Sequence, residues 1–188
     1  MANDNIEIEI KFPLNNPKEV ATFLGLNARK VSEGVHQKDA YYTPYHRDFM
    51  AVRYPYEWLR LRTTPNGSSI TYKHFYPEDV AETDYCDEFE TSVDDVSAME
   101  RIFSSLDFRH IVDVEKYRTT WMLEDVEIVI DDVASLGCYI ELEATGAFRD
   151  PREGKAYLHG VLRKMGADVG EQDCRGYPFI LIEKEKKR

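Results

Sequence analysis

The sequence predicts an α+β chain built on a largely antiparallel sheet of about eight strands, with two or three helices beside it. Three observations carry this. The dominant hydrophobic period is two rather than 3.6, and it recurs in eight or nine separate runs. These runs follow one another in hairpin order, with turn residues such as Pro65-Asn66-Gly67 between them. Two stretches open instead on a cap residue followed by proline, Asn16-Pro17 and Asp150-Pro151, the signature of a helix start. A sheet of so many strands has edges to protect, and closure into a β-barrel is a natural way to remove them.

In chain order, residues 6–12 alternate isoleucine with charge over seven positions, and Pro13 stops the run. Asn16 caps a helix with Glu19 in its first turn, Val20, Phe23 and Leu24 on its apolar stripe, and Gly25 as its stop. Strands follow at 29–36 and 39–43, then a Tyr- and Pro-rich excursion over 44–55. Segments 58–64 and 68–75 form a hairpin, and 87–93 reads as another strand. A helix over 94–106 presents Val96, Met99, Ile102, Phe103 and Leu106 on one face. Strands at 109–121, 126–133 and 138–144 precede the helix begun by Asp150, whose inner face carries Tyr157, Leu158, Val161, Leu162 and Met165. Residues 177–183 read as a closing strand.

The 188 residues suit one domain, 1–188, and no repeat or Ser/Gly linker divides them. Lys and Arg number 24 against 35 Asp and Glu, a net charge of −11, which argues against non-specific binding to nucleic acid or an anionic membrane. A local site can still oppose the global sign. The three cysteines, Cys86, Cys138 and Cys174, are odd in number and lack CxxC spacing, so they make neither a disulfide framework nor a zinc site. The first five residues carry no basic start or apolar core of a leader, and no apolar run approaches membrane-spanning length. The expectation is a soluble, cytoplasmic domain. An isologous homodimer is its default assembly if a sheet face stays apolar and exposed.

The polar side of each strand carries the functional signal. Side chains at i and i+2 share a face, so Glu7, Glu9 and Lys11 lie together, as do Arg60 and Arg62, Glu88 and Glu90, Lys116 and Arg118, and Glu141 and Glu143. Asp131 shares its face with Glu127 and Val129. Two readings stay open: a solvent face laced with ion pairs, or a polar interior. Same-sign neighbours on a strand repel unless opposite charge lies between them. Acidic dyads gathering a divalent cation and basic dyads gathering a polyanion remove that repulsion. The basic set (Lys11, Arg60, Arg62, Lys73, Lys116, Arg118) holds six positive charges and the acidic set (Glu7, Glu9, Glu88, Glu90, Asp131, Glu141, Glu143) seven negative ones. Two divalent ions bring the site to about +3, close to what a triphosphate of roughly −4 requires. Carboxylate oxygens suit Mg²⁺ or Mn²⁺, and the absence of a Cys or His cluster disfavours zinc.

At these residues the sequence resembles the CYTH superfamily, the triphosphate tunnel metalloenzymes, which include class IV adenylyl cyclases, thiamine triphosphatases and inorganic triphosphatases. Glu7-Ile8-Glu9-Ile10-Lys11 matches the signature ExExK, Leu59-Arg60-Leu61-Arg62 the LRLR strand and Thr71-Tyr72-Lys73 the TYK strand. Glu88-Phe89-Glu90 resembles the ExE strand and Lys116-Tyr117-Arg118 the KxR strand. The segment from Asp131 through Leu136-Gly137 to Glu141-Leu142-Glu143 matches the following acidic motif. The match covers about 6–144, and the tail over 150–183 resembles that of the cyclase-type branch. His74-Phe75 stands where many members have Gly-Pro, Thr43 where an aspartate is usual, and Asp84-Tyr85-Cys86-Asp87 where an arginine often precedes the ExE strand.

The resemblance implies a closed antiparallel barrel forming a charged tunnel. By carry-over, Glu7, Glu9, Asp131, Glu141 and Glu143 are metal ligands, with Mg²⁺ or Mn²⁺, two ions, as cofactor. Lys11, Arg60, Arg62, Lys73, Lys116 and Arg118 bind phosphate oxygens, and Glu88 and Glu90 complete the substrate site, partly by orienting basic groups. The expected partner is a triphosphate: ATP, thiamine triphosphate or inorganic triphosphate. The leading expectation is an adenylyl cyclase making cyclic AMP and pyrophosphate from ATP. The alternatives are a triphosphatase, with Lys116 or Lys73 as catalytic base, and a non-catalytic polyphosphate-binding module. The histidines (His36, His46, His74, His110, His159) show no catalytic spacing. The aromatics Tyr41, Tyr42, Tyr45, Tyr54, Tyr56 and Trp58 either pack a loop or stack on a base.

Overall fold

The computed structural model describes residues 6–146, 148, 150–172 and 174–186. The start expected to lack a leader, residues 1–5, lies outside the described residues, as do the side chain of Ile6 and the last two residues of the charged tail. Among the described residues there are nine strands and four helices: β1 (Ile6–Glu7), β2 (Glu9–Pro13), α1 (Pro17–Asn27), β3 (Arg29–Pro44), β4 (Glu57–Thr64), β5 (Gly67–Tyr76), β6 (Tyr85–Val93), α2 (Val96–Ser105), β7 (Phe108–Leu123), β8 (Val126–Val133), β9 (Gly137–Ala144), α3 (Pro151–Lys164) and α4 (Gly176–Lys186). The strands hydrogen-bond in the order β1-β6-β5-β4-β3-β7-β8-β9-β2. The two ends of that order are neighbours in sequence, with Ile8 alone between them. The class is α+β, and the registered pairs of β4, β5 and β6, and of β7, β8, β9 and β2, are antiparallel, as the hairpin order predicts.

The chain forms two compact units, each from separated segments. The first holds residues 1–6, 36–115 and 174–188, and the second 7–35 and 116–173. In the first, the odd-even alternation of β3, β4 and β5 sends Ala40, Tyr42, Leu59, Leu61, Ile70 and Tyr72 to one face, where Val96, Met99 and Phe103 of α2 pack on them. Asp95 caps α2 by accepting from the Ala98 amide at 2.8 Å. Ile102 and Leu106, expected on the inner face, are about half exposed, and Leu106 lies past the last turn of α2 as its C-cap. In the second unit, Ile10 pairs across to Leu142 and Ile128, and all three are fully buried with Leu158 of α3. Gly154 lets α3 approach closely: a Cβ there would stand 3.1 Å from Ile8 and 3.3 Å from Phe148.

Four local expectations are corrected. The strands expected at 29–36 and 39–43 are one strand, β3, since Gln37 and Lys38 continue its ladder. The helix α1 runs past Gly25 to Asn27 and is capped at Ala28. Asn16 does not cap it by a side-chain bond; its amide instead donates to the Gly166 carbonyl at 3.0 Å and accepts from the Asp168 amide at 2.8 Å. The closing strand expected over 177–183 is the helix α4. A six-residue apolar run, 177–182, does not distinguish strand from helix by period. Here Pro178 falls in the first turn, where no amide is needed, and Lys184 and Lys186 suit the negative end of the dipole.

The excursion over 44–56 is pinned by Asp48. Its carboxylate accepts from the Met50 amide (3.0 Å), the Thr43 hydroxyl (3.2 Å) and Arg109 Nη2 (2.7 Å), while the Phe49 amide donates to Thr43 Oγ1 at 2.8 Å. Burial alone would raise this carboxyl, but the amide and Arg109 outweigh it and hold it below the ordinary carboxylate range. A depressed folded pKa gives stability that is present above the ordinary range and lost as pH falls through the lowered value. Asp48→Asn is therefore expected to cost about 1–2 kcal/mol at neutral pH and to flatten the acid limb of the melting curve. Unchanged melting between pH 3 and 7 in the variant would contradict this.

Among the described residues no helix is long and apolar enough to cross a membrane.

Candidate functional site

The other face of each unit's sheet carries the charge, and most of its charged side chains are buried or half-buried, with Glu90 exposed. In the first unit the register sets Asp39 beside Arg62 and Arg62 beside Ser69. The next row runs Tyr41, Arg60, Thr71, Glu90, and the next Trp58, Lys73, Glu88. Asp39, fully buried at 0% exposure, accepts from Arg62 Nε at 2.6 Å and Nη2 at 2.7 Å, and lies 3.8 Å from Arg60. Arg60 Nη2 donates to Thr71 Oγ1 at 3.0 Å, and Thr71 donates on to Glu90 at 2.6 Å. Lys73 pairs with Glu88 at 3.2 Å. The first unit thus gathers Arg60, Arg62, Lys73, Glu88 and Glu90 on one face.

The second unit gathers the rest. Glu9 stands opposite Glu143, and Glu143 opposite Glu127, making one row of three carboxylates across β2, β9 and β8. The next row sets Lys11 opposite Glu141, with Nζ 2.6 Å from Oε2. Asp131, 1% exposed, stands opposite Arg118 and takes Nε at 2.8 Å and Nη2 at 2.7 Å. Lys116, 3% exposed, reaches Asp131 at 3.7 Å, and Arg118 reaches Glu141 at 3.6 Å. Burial would raise Asp131, but Arg118 and Lys116 outweigh it and hold its carboxyl low. Glu127 moves the other way: burial, with Glu141 and Glu7 adding to it against Arg118, pushes its carboxyl up. Glu7 itself is buried.

Three residues outside the sequence-derived set belong to these faces. Asp39 sits in a mixed stretch, Gln37-Lys38-Asp39-Ala40, without a like-charged neighbour at i±2, so no dyad marks it. Thr71 carries no charge. Glu127 does share the Asp131 face in the alternation, which was the available signal. The aromatics divide by parity: Tyr41 and Trp58 join the charged face, edge to face at 5.7 Å, whereas Tyr42 packs on Phe103 on the apolar one. His36, His74 and His110 each pair with a carboxylate within 2.9 Å, and His159 packs edge-on against Phe12. A cleft of about 340 Å³ in the first unit lies on the apolar side, where Lys38 and His110 each pair with Asp113.

The acidic positions fit a divalent cation by their chemistry. They are hard oxygen donors, and a row of like charges across three strands is costly unless positive charge intervenes. Among the described residues no three acidic, His or Cys side chains converge on a common ion-sized point. The carboxylates instead stand in pairs with Lys11, Arg118 and Lys116.

The CYTH domain profile matches residues 5–177, nearly the whole chain. The chain belongs to the CYTH domain family. A relative from Methanocaldococcus jannaschii, named "Putative adenylate cyclase MJ0240", is 33% identical over 138 residues, 73% of this chain and 76% of its own length. Among solved structures, the PH1819 protein of Pyrococcus horikoshii OT3 is 25% identical with a TM-score of 0.76, covering 95% of this chain and 99% of that one. A Hippeastrum protein described as "Putative adenylyl cyclase HpAC1", reported to reveal a dominant triphosphatase activity, shares the fold at 16% identity, with a TM-score of 0.61 and coverage of 95% and 96%.

Proposed function

We propose that this CYTH protein is a divalent-metal-dependent enzyme acting on a triphosphate, and that it converts ATP to cyclic AMP and pyrophosphate. The observation that carries the reading is the half-buried carboxylate row Glu9–Glu143–Glu127 on the same sheet face as Lys11, Lys116 and Arg118. A half-buried face crowded with like charge is costly by itself and suited to an ionic ligand. The name of the M. jannaschii relative supports the cyclase form.

In this reading Glu7, Glu9, Glu141 and Glu143 would hold Mg²⁺ or Mn²⁺, with Asp131 contributing while it anchors Arg118. A divalent ion held there would supply charge neutralisation of phosphate oxygens. Arg60, Arg62 and Lys73 on the first unit's charged face, and Lys11, Lys116 and Arg118 on the second's, are the donors suited to phosphate oxygens. Glu88 orients Lys73, and Glu90, through Thr71, orients Arg60. Fixed donors of this kind stabilise charge without reorganising as the 3′-hydroxyl attacks the α-phosphorus. Hydrolysis of the terminal phosphoryl group is the second reading, since the same donors serve that phosphorus and the Hippeastrum neighbour is described by such an activity. Lys116 or Lys73 would then be the base.

The test is incubation of purified protein with ATP and Mg²⁺ or Mn²⁺, and separately with inorganic triphosphate and thiamine triphosphate, with products separated by chromatography. Cyclic AMP plus pyrophosphate is the expected result. Phosphate release without cyclic AMP would move the protein to the hydrolases. Tight triphosphate binding with no turnover would make it a binding module.

A further inference from the structure

We infer that Asp39 is a positioning residue, which sets the guanidinium of Arg62 and draws in that of Arg60 before any ligand arrives. The inference rests on the reading of the first unit's charged face as phosphate-binding. Asp39 is the most deeply buried carboxylate on that face, at 0% exposure, while the side chains of Glu88 and Glu90 are 26% and 47% exposed. An incoming polyanion can push aside an exposed carboxylate. It cannot reach one sealed beneath the arginines.

The pairing is side-on. Arg62 gives Asp39 its Nε and Nη2 hydrogens, at 2.6 and 2.7 Å. A guanidinium has two bidentate edges, and engagement of the Nε edge leaves the Nη1 edge to recognise phosphate. The carboxylate thereby fixes the plane and direction of the remaining donors, so a ligand meets an arginine whose rotamer freedom is already lost. Arg60 lies 3.8 Å from the same Asp39 oxygen that accepts from Nη2 of Arg62, and its Nη2 rests on the buried Thr71 hydroxyl. Two cations that would repel are held side by side by one buried anion. The second unit repeats the device independently: Arg118 also offers Nε and Nη2 to a buried aspartate, Asp131, with Lys116 at 3.7 Å as the companion cation. Asp131 lies in a recognisable acidic motif; Asp39 does not.

Calorimetric binding of inorganic triphosphate with Mg²⁺, measured on Asp39→Asn, Arg62→Ala and the double variant, tests this. Asp39→Asn is expected to weaken binding roughly 10–100-fold, as loss of an orienting partner does elsewhere. The double variant is expected to lose less than the product of the two single losses, since Asp39 acts largely through Arg62. Losses that multiply, or an Asp39→Asn that binds as the parent while Arg62→Ala is weakened, would overturn the inference and leave the phosphate-binding reading standing. An Arg62→Ala that binds normally would remove both. The unmutated chain supplies a readout that does not depend on a variant folding. Restricted rotation of the Arg62 guanidinium by NMR in the absence of triphosphate is expected, with the signal assigned by its loss in Arg62→Lys. A freely averaging guanidinium would overturn the inference.

Discussion

Asp131→Ala is expected to destabilise the chain by about 3–5 kcal/mol, the usual cost of leaving a buried charge without its partner. Asp131 is 1% exposed, holds both Nε and Nη2 of Arg118, and stands 3.7 Å from Lys116, itself 3% exposed. Removing the carboxylate takes the side-on partner from Arg118 and the 3.7 Å partner from the nearly sealed ammonium of Lys116. The melting temperature should fall on the order of 10 °C. Asp131→Asn keeps an acceptor of the same shape and should lose less. The pH dependence follows from the lowered carboxyl: the contribution is present above the ordinary carboxylate range and disappears as pH falls through the depressed folded value. The acid limb of parent unfolding should therefore be blunted in the variant. A melting point within 2 °C of the parent, on the order of half a kcal/mol, would show that Asp131 anchors nothing.

The double substitution Glu9→Gln/Glu143→Gln should act in the opposite sense on stability and much more severely on activity. These two carboxylates face each other directly across β2 and β9, and Glu143 faces Glu127 on its other side. Directly opposed like charges destabilise a strand pair by a few tenths of a kcal/mol to about 1 kcal/mol, so neutralising two of three should hold or raise the melting temperature. The proposed enzyme would lose the charge that holds its metal. Loss of several kcal/mol of transition-state stabilisation corresponds to a fall of about 10²–10⁴-fold in turnover. Calorimetry with Mg²⁺ or Mn²⁺, run beside the product assay and a thermal melt, separates the effects. A variant that keeps full turnover would remove these glutamates from the site, and one that melts well below the parent would show them to be structural. The contrast with Asp131 is physical: one carboxylate balances buried cations, whereas the others share a face with too many of their own sign.

Much of this was visible in the chain before its folding. The alternation in 6–12, the Arg60/Arg62, Lys116/Arg118 and Glu141/Glu143 pairs and the hairpin around Asn66-Gly67 are local patterns, and local geometry preserves them, because a strand keeps i and i+2 on one side whatever lies opposite. Cross-strand neighbours are different. That Glu9, Glu143 and Glu127 form one row depends on the register of three strands drawn from distant segments. That Asp39 meets Arg62 depends on where β3 slides against β4. The mistaken ending has the same origin: the run 177–183 is apolar enough for either element, and the buried Tyr177, Pro178 and Leu181 fall on one face of the helix.

The sequence by itself determined the class of the fold, most of its strands and helices as far as α3, and which residue types occupy the charged faces. Only the tertiary structure decided which of the charged side chains are buried, because exposure depends on what packs above a strand and not on its own alternation. It also decided which carboxylates balance cations and which stand together. Electrostatic roles depend on distance and burial, and both arise from pairings between residues far apart in the chain.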